Sequence, residues 1–469
     1  MDDFNTTSRR AFLRRFGQLG LAGAAAPWAM NLATISEAAA FNAGNDYKAL
    51  VCVFLYGGND NGNTLVRVDD AGYASYAQMR AGFATPRADL AATTLAASAG
   101  QPSGQRFALA PQLSGLKRLY DQGALAIQQN VGPLIVPTTL EQYHRRSVPL
   151  PPKLFSHNDQ QSVWQSSHAE GSVKGWGGAM GDLALSSGAT NSTFACISAA
   201  GQAVFISGQS ALTYRISTQG AARVRDFNNQ TGGCARTQQC VDVLRELVTE
   251  ARPHMLEEEL NRMMRRSMAA SDKVDAMLAI GTEDRVSDIP DTNLGRQLAI
   301  VARLIAGNSA IGVRRQVFFV SMTGFDDHAL LATRHPEKLT ELNDALVGFY
   351  ESMRKLNMAD KVTAFTASEF GRCMVTNGNG SDHGWGSTHM VLGAAVKGGI
   401  YGKTPIYRVD ADYDPSTGLD VGQGRMIPTA SVDEYAATLA RWFGVSDSEM
   451  RLVVPNIGNF ASSNLGFLG

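Results

Sequence analysis

The sequence predicts a three-layer α/β fold, in which one buried sheet is covered by helices on both faces. Three observations predict it. Residues 48–56 (KALVCVFLY), 316–321 (QVFFVS) and 361–366 (KVTAFT) are apolar runs that are short, as buried strands are. Segments of helical periodicity, such as 294–305 (LGRQLAIVARLI) and 339–356, alternate with them. Each run is followed by turn residues carrying acid or imidazole groups, where open α/β sheets place their sites.

The chain has 469 residues, a formal net charge of -1 and 44% hydrophobic content, which suits a folded protein with a large core. No strongly basic patch stands out beyond the N-terminus, so nucleic acid is not an expected partner. Ser8-Arg9-Arg10-Ala11-Phe12-Leu13-Arg14 fits a twin-arginine export pattern. An Ala/Gly-rich apolar run over 16–33 and the small residues Ala38-Ala39-Ala40 complete a signal peptide. The expectation is therefore that residues 1–40 are removed after export through the twin-arginine translocase. Residues 41–469 would then form one α/β domain in the periplasm or outside the cell. No second apolar run is long enough for a stable membrane span in the mature form. Of the five cysteines, Cys234 and Cys240 flank a short polar loop and are the pair suited to a disulfide, while Cys52 sits inside an apolar strand.

Taken in order, the strand at 48–56 ends in Gly57-Gly58-Asn59-Asp60, which puts Asp60 just past the first core strand. Its alternative role is to cap its own turn. A helix beginning near Pro111 and a strand at 124–130 suggest a β-α-β start. Residues 133–152 are Pro-rich and irregular, and Ser156 or Asn158 would cap a helix over 160–167. Two short strands are expected at 194–197 and 203–206. Residues 213–291, rich in Leu, Met, Arg and Glu, read as a mainly helical insertion over the sheet. The strand at 316–321 has the tail Met322-Thr323-Gly324-Phe325-Asp326-Asp327-His328, and the strand at 361–366 leads into a loop with Glu369, Arg372, Asp382, His383 and His389.

Three strand tails thus carry Asp60, then Asp326, Asp327 and His328, then Asp382, His383 and His389. Carboxylate oxygen and imidazole nitrogen are the ligands of hard and borderline divalent metals. A mixed Asp/His set of this size would hold two divalent ions, zinc, manganese, calcium or magnesium, of the kind that clamp a displacement at phosphorus. A lone Asp-His pair is more often an ordinary hydrogen bond. The force of the reading lies in three tails at neighbouring strand ends.

The segments GGND, FSHND, GFDDH, SEFGR and SDHGWGSTHMVLGAAVKGGIYG resemble the domain-of-unknown-function 1501 family, twin-arginine-exported proteins similar to the alkaline phosphatase/sulfatase superfamily. The resemblance implies an alkaline-phosphatase-like sheet with a two-metal site. Carried over, it puts Asp60, Asp382 and His383 on one metal, and Asp326, His328 and His389 on the other. No Cys stands in a sulfatase-type Cys/Ser-x-Pro-x-Arg context, which disfavours a formylglycine sulfatase. Ser156 at a helix start is the candidate nucleophile, where N–H dipoles favour an anion, with helix capping as its bland alternative. Thr64 near Asp60 is second, and a metal-bound hydroxide is the nucleophile if neither serves. Arg372 would clamp an anionic oxygen or form a buried ion pair. Glu369 would orient a histidine, and His157 would meet metal or substrate. The function expected is an exported metal-dependent hydrolase of a phosphate or sulfate ester, acting on an anionic small molecule or polymer. The alternative is a non-catalytic metal- or anion-binding or assembly protein on the same scaffold.

Overall fold

The computed structural model describes residues 41–98, 100–221 and 238–469. The expected signal peptide, Cys234 and the side chain of Cys240 lie outside the described residues. The strands are β1 (Lys48–Leu55), β2 (Leu65–Arg67), β3 (Phe107–Leu109), β4 (Leu125–Gly132), β5 (Cys196–Ser198), β6 (Thr213–Arg215) and β7 (Arg315–Met322). They continue with β8 (Val362–Ala367), β9 (Arg372–Thr376), β10 (Ser381–His383), β11 (Ser387–Leu392), β12 (Gly399–Tyr401) and β13 (Ala430–Ser431).

Nine of these form one sheet in the order β12-β4-β11-β8-β1-β7-β5-β6, with β13 also paired to β4. β1 sits at the centre, parallel to β7 on one side and β8 on the other. β11 runs antiparallel to both β4 and β8. The sheet is mixed but mostly parallel.

Alternation along β1 shows why the sheet is covered twice. Ala49, Val51, Val53 and Leu55 enter a core with Leu116, Leu298, Val301, Leu339 and Leu346, from the helices Ser114–Asp121, Asn293–Ala306 and Leu331–Lys355. Leu50, Cys52 and Phe54 enter the opposite core with Met180, Tyr435 and Leu439, from Trp176–Ser186 and Val432–Phe443. Because successive side chains point to opposite faces, an unbroken apolar run is what a strand buried on both faces requires. The predicted α/β class, with its layers, is the fold observed.

Some local expectations give way to the structure. β4 does not pair with β1, because β8 and β11 stand between them, so the chain does not start with an adjacent β-α-β unit. Val204–Ile206 is a 3-10 turn rather than a strand. Within 213–291 the first residues, Thr213–Arg215, are the edge strand of the main sheet. The helices Gln238–Thr249 and Met255–Ile280 follow, and Ala270, Val274 and Met277 of the second are buried in the main core. Among the described residues, no helix is long and apolar enough to cross a membrane.

The parallel β7, β1 and β8 end side by side, and the antiparallel β11 starts at the same edge. Residues 56–60, 323–328, 368–371 and 381–387 are therefore gathered at one rim.

Candidate metal centre

The tails are stitched together by backbone groups before any functional side chain enters. Phe325 N–H donates to the Tyr56 carbonyl at 3.0 Å, and Ser381 N–H to the Asp327 carbonyl at 3.1 Å. Gly57, at φ +117°, donates its N–H to Glu369 Oε1 at 2.9 Å and accepts from Arg372 Nη1 at 3.0 Å. A Cβ there would strike the backbone of Phe325 and Asp326. Glycine is required at this junction by both φ and space.

Three histidines surround Asp326. His157, the first residue of helix His157–Ser166, has Nδ1 2.8 Å from Glu369 Oε1 and Nε2 3.4 Å from Asp326 Oδ2. His328 has Nδ1 3.1 Å from Asp382 Oδ1 and Nε2 3.0 Å from Asp326 Oδ1. His383 on β10 has Nδ1 2.7 Å from the Phe155 carbonyl and Nε2 3.2 Å from Asp326 Oδ1. A carbonyl only accepts, so His383 carries a proton on Nδ1 and presents Nε2. The Nε2 atoms of His328 and His383 are 3.0 Å apart. Donor atoms of His157, Asp326 and His383 all lie within 4.8 Å of one another.

Each imidazole is therefore anchored through Nδ1 to an oxygen, with Nε2 turned toward one carboxylate. That is the arrangement by which outer partners orient metal-binding histidines. The two imidazole nitrogens and one carboxylate oxygen of His157, His383 and Asp326 are a donor set that suits a borderline divalent ion such as zinc better than calcium or magnesium.

The groups behind the cluster are buried. Glu369, which has no exposed surface, accepts at one oxygen from Gly57 N–H, Gln161 Nε2 and His157. That hydrogen bond is the main cause that raises the His157 pKa, with burial opposing it. The Arg372 side chain is also unexposed and reaches Asp326 Oδ1 at 2.6 Å, besides the Gly57 carbonyl and Ser381. Partial burial would raise the Asp326 pKa, but the Arg372 hydrogen bond and charge together hold it below the usual carboxylate value. Burial lowers the His383 pKa.

Of the residues expected from sequence to bind metal, Asp326, His328 and His383 meet here, with Asp382 behind His328. Two others stand elsewhere. Asp60 is 1% exposed, forms an ion pair with Arg80 and accepts from Gly62 N–H at 3.2 Å. It occupies the turn-capping role, with a cation already beside it. His389 is buried against Trp164 and Tyr435, with ring centroids 5.3 and 5.8 Å away, and burial pushes its pKa down to about 3. Neither of its ring nitrogens meets a partner among the described residues.

Ser156 is the N-cap residue beside His157, but its side chain does not cap the helix. Its Oγ donates to Asp159 Oδ2 at 3.0 Å, and Lys153 Nζ is 3.6 Å from the same oxygen. Arg372 occupies the ion-pair alternative, with its N–H groups directed inward. His157 is more central than sequence reasoning made it. The available signal was its position at a helix start within FSHND. Arg80 was missed outright, and nothing in its local sequence marks it.

The comparisons with known proteins add a family and little else. A family model described as a protein of unknown function (DUF1501) matches residues 47–456. No curated protein matches the chain. Among solved structures, the crystal structure of Ps i-CgsB in complex with k-i-k-neocarrahexaose is similar over 88% of this chain and 77% of that one, at 8% identity and a TM-score of 0.30. Nothing about the site rests on that likeness. The family match spans most of the chain, and the chain belongs to the DUF1501 family.

Proposed function

We propose that this member of the DUF1501 family is an exported metal-dependent hydrolase of a phosphate or sulfate ester. The observation that carries the reading is the convergence of His157, His328 and His383 on Asp326, each imidazole anchored through Nδ1. These four residues would hold one divalent ion, which would polarise an ester oxygen and offset the charge developing on it. The chain's own groups would do the rest. Arg372 fixes Asp326, while Glu369, Asp382 and the Phe155 carbonyl keep the three rings in register. Ser156 would attack the ester phosphorus or sulfur, with Asp159 accepting its hydroxyl proton along the existing 3.0 Å hydrogen bond. The bond to the alcohol oxygen would break, the alcohol would leave with a proton from solvent, and water would then hydrolyse the seryl ester. A second ion at the expected Asp60 and His389 would require Asp60 to leave Arg80 and His389 to leave the core. One ion is therefore the number proposed.

Elemental analysis of the purified full chain should find about one equivalent of a divalent metal. Turnover on a panel of phosphate and sulfate esters should be lost on chelation and restored by the metal. A protein without divalent metal, and without metal-dependent turnover on that panel, would sink the proposal. The inward-facing Arg372 favours a second reading, a metal- or anion-binding protein without turnover, because its guanidinium is committed to Asp326 and Ser381 and is not free to offset charge developing on a reacting ester. One equivalent of metal with an anion retained but never hydrolysed would select that reading. Export rests on the Arg9-Arg10 pair; replacing both by Lys should leave the precursor in the cytoplasm.

A further inference from the structure

The segment just before Phe155 and His157 frames a cavity of about 590 Å³, whose wall includes Tyr143, His144, Arg146, Leu150, Lys153 and Leu154. Its size falls within the range of ligand pockets, roughly 300–1,000 Å³. His144, Arg146 and Lys153 contribute cationic or protonatable groups to its wall, while Tyr143, Leu150 and Leu154 supply apolar surface. No Asp or Glu is among its lining residues. Among the described residues no carboxylate pairs with Arg146 or His144, whereas Lys153, 71% exposed, lies 3.6 Å from Asp159 and 4.0 Å from Glu170. Neighbouring Arg145 differs, being paired to Glu141 at 3.0 Å and absent from the lining.

Three features tie this cavity to the metal centre. Tyr143 and Phe155 both pack on Trp385, two residues after His383, with centroids 5.7 and 6.4 Å away. Phe155, which follows the cavity wall, supplies the carbonyl that anchors His383. Arg425 adds a further cation at the junction, 5.4 Å over the Phe155 ring and hydrogen-bonded to the His383 carbonyl at 2.8 Å. φ is also positive at Lys153 (+39°) and Phe155 (+71°), whereas Arg146 at +50° is the left-handed C-cap of the helix Leu140–Arg145. Positive φ at such residues costs free energy and clusters where a surface is shaped for use.

We infer that this cavity is a subsite for a second anionic group of the substrate, so that the ester is part of a polyanionic chain rather than a lone monoester. One anionic group would reach the histidine cluster while the neighbouring groups of the chain lie against Arg146, Lys153 and His144. Cations in a cleft with low-dielectric walls focus their field on such a ligand. The inference rests on the ester-hydrolase reading for its meaning, but its test does not need turnover.

The probes are dextran sulfate of low mass and inorganic polyphosphate, titrated against the metal-loaded full chain by calorimetry at two salt concentrations. Wild type should bind at least one of them, more weakly as salt rises. The double variant Arg146→Glu/Lys153→Glu should bind that probe at least tenfold more weakly, with unchanged metal content and melting temperature. Arg145→Glu, one residue away but outside the cavity, should weaken binding less than threefold. No binding by wild type, or equal losses in the Arg145 and Arg146/Lys153 variants, would overturn the subsite. Asp326→Ala separates the two claims. If it abolishes metal binding and turnover yet keeps polyanion binding, both stand; if wild type binds the chain at this cavity but hydrolyses no ester, the subsite stands and the hydrolase reading falls.

Discussion

At the residue scale, what matters is which atom of each side chain is already occupied. Glu369 spends one buried oxygen on three donors, including the Nδ1 of His157. Replacing it by Gln removes the charge that favours a proton on that nitrogen. Outer-shell changes of this kind typically cost about 10–100-fold in metal affinity. Glu369→Gln should show that loss in competition with a chelator of known affinity, and equal affinities would exclude an orienting role. Asp60 gives the opposite test. Its carboxylate faces Arg80, whose side chain is wholly buried. Asp60→Asn leaves an uncompensated buried charge, which costs about 3–5 kcal/mol. The variant should lose stability of that order in urea unfolding while retaining its metal equivalent; loss of metal with little loss of stability would restore Asp60 as a ligand. In sequence Asp60 and Asp326 look alike, each an acid a few residues past a buried strand. Each meets a buried arginine, but Asp60 is sealed in with Arg80 while the partly exposed Asp326 is also met by His157, His328 and His383 from other parts of the chain, and no local spacing reveals that difference.

At the element scale, the site depends on how closely neighbouring strand tails approach. β1, β7 and β8 were readable because strands buried on both faces are apolar throughout. β11 was readable as a strand, but its antiparallel direction was not, since direction leaves no mark on an apolar run. His383 reaches the rim because the chain forms the separate β9–β10 pair between β8 and β11. Gly57 is where the first tail meets the second. A methyl group there would press on the Phe325–Asp326 backbone, at a φ of +117° that Ala also resists. Overpacking of this kind costs about 1–3 kcal/mol. Gly57→Ala should therefore lower stability by about that amount and weaken metal binding with it, because Asp326 moves. Gly82→Ala is the control: its φ is +82°, but nothing lies within 4 Å of the added carbon. It should cost only backbone strain and leave the metal affinity unchanged. Equal effects on the metal from both variants would show that the tails do not act on the site through contact.

At the scale of the whole molecule, the two cores bury titratable groups away from the site, and these set the response of the fold to acid. His335, 2% exposed, has its pKa lowered by burial to about 4, with Nε2 3.1 Å from Asn59 Oδ1. His389 is likewise lowered by burial, to about 3. Both are neutral in the folded chain below pH 6.5, where the unfolded chain would protonate them. The unfolded state then binds more protons, so stability falls as pH drops from 6.5 toward 4, and both contributions are fully present only above 6.5. Asp433 opposes them. Burial raises its pKa to about 6, so between pH 3.8 and 6 the folded state binds the extra proton, and this group favours folding at the acid end. Each histidine kept neutral leaves the folded state about one proton short of the unfolded state, about a tenfold loss in the folding equilibrium per pH unit between pH 6 and 4. Set against it are the protons gained by Asp433 and by Glu434, whose pKa burial also raises. His335→Gln keeps a donor for Asn59 and removes one of the two histidines, so the loss on acidification is smaller in the variant. Unfolding free energies of wild type and His335→Gln, measured by denaturant at pH 4.5, 5.5 and 7, should therefore converge as pH falls, the variant's curve being the flatter. Parallel curves would mean that His335 is protonated to the same extent in both states, and that the core around Asn59 admits the charge.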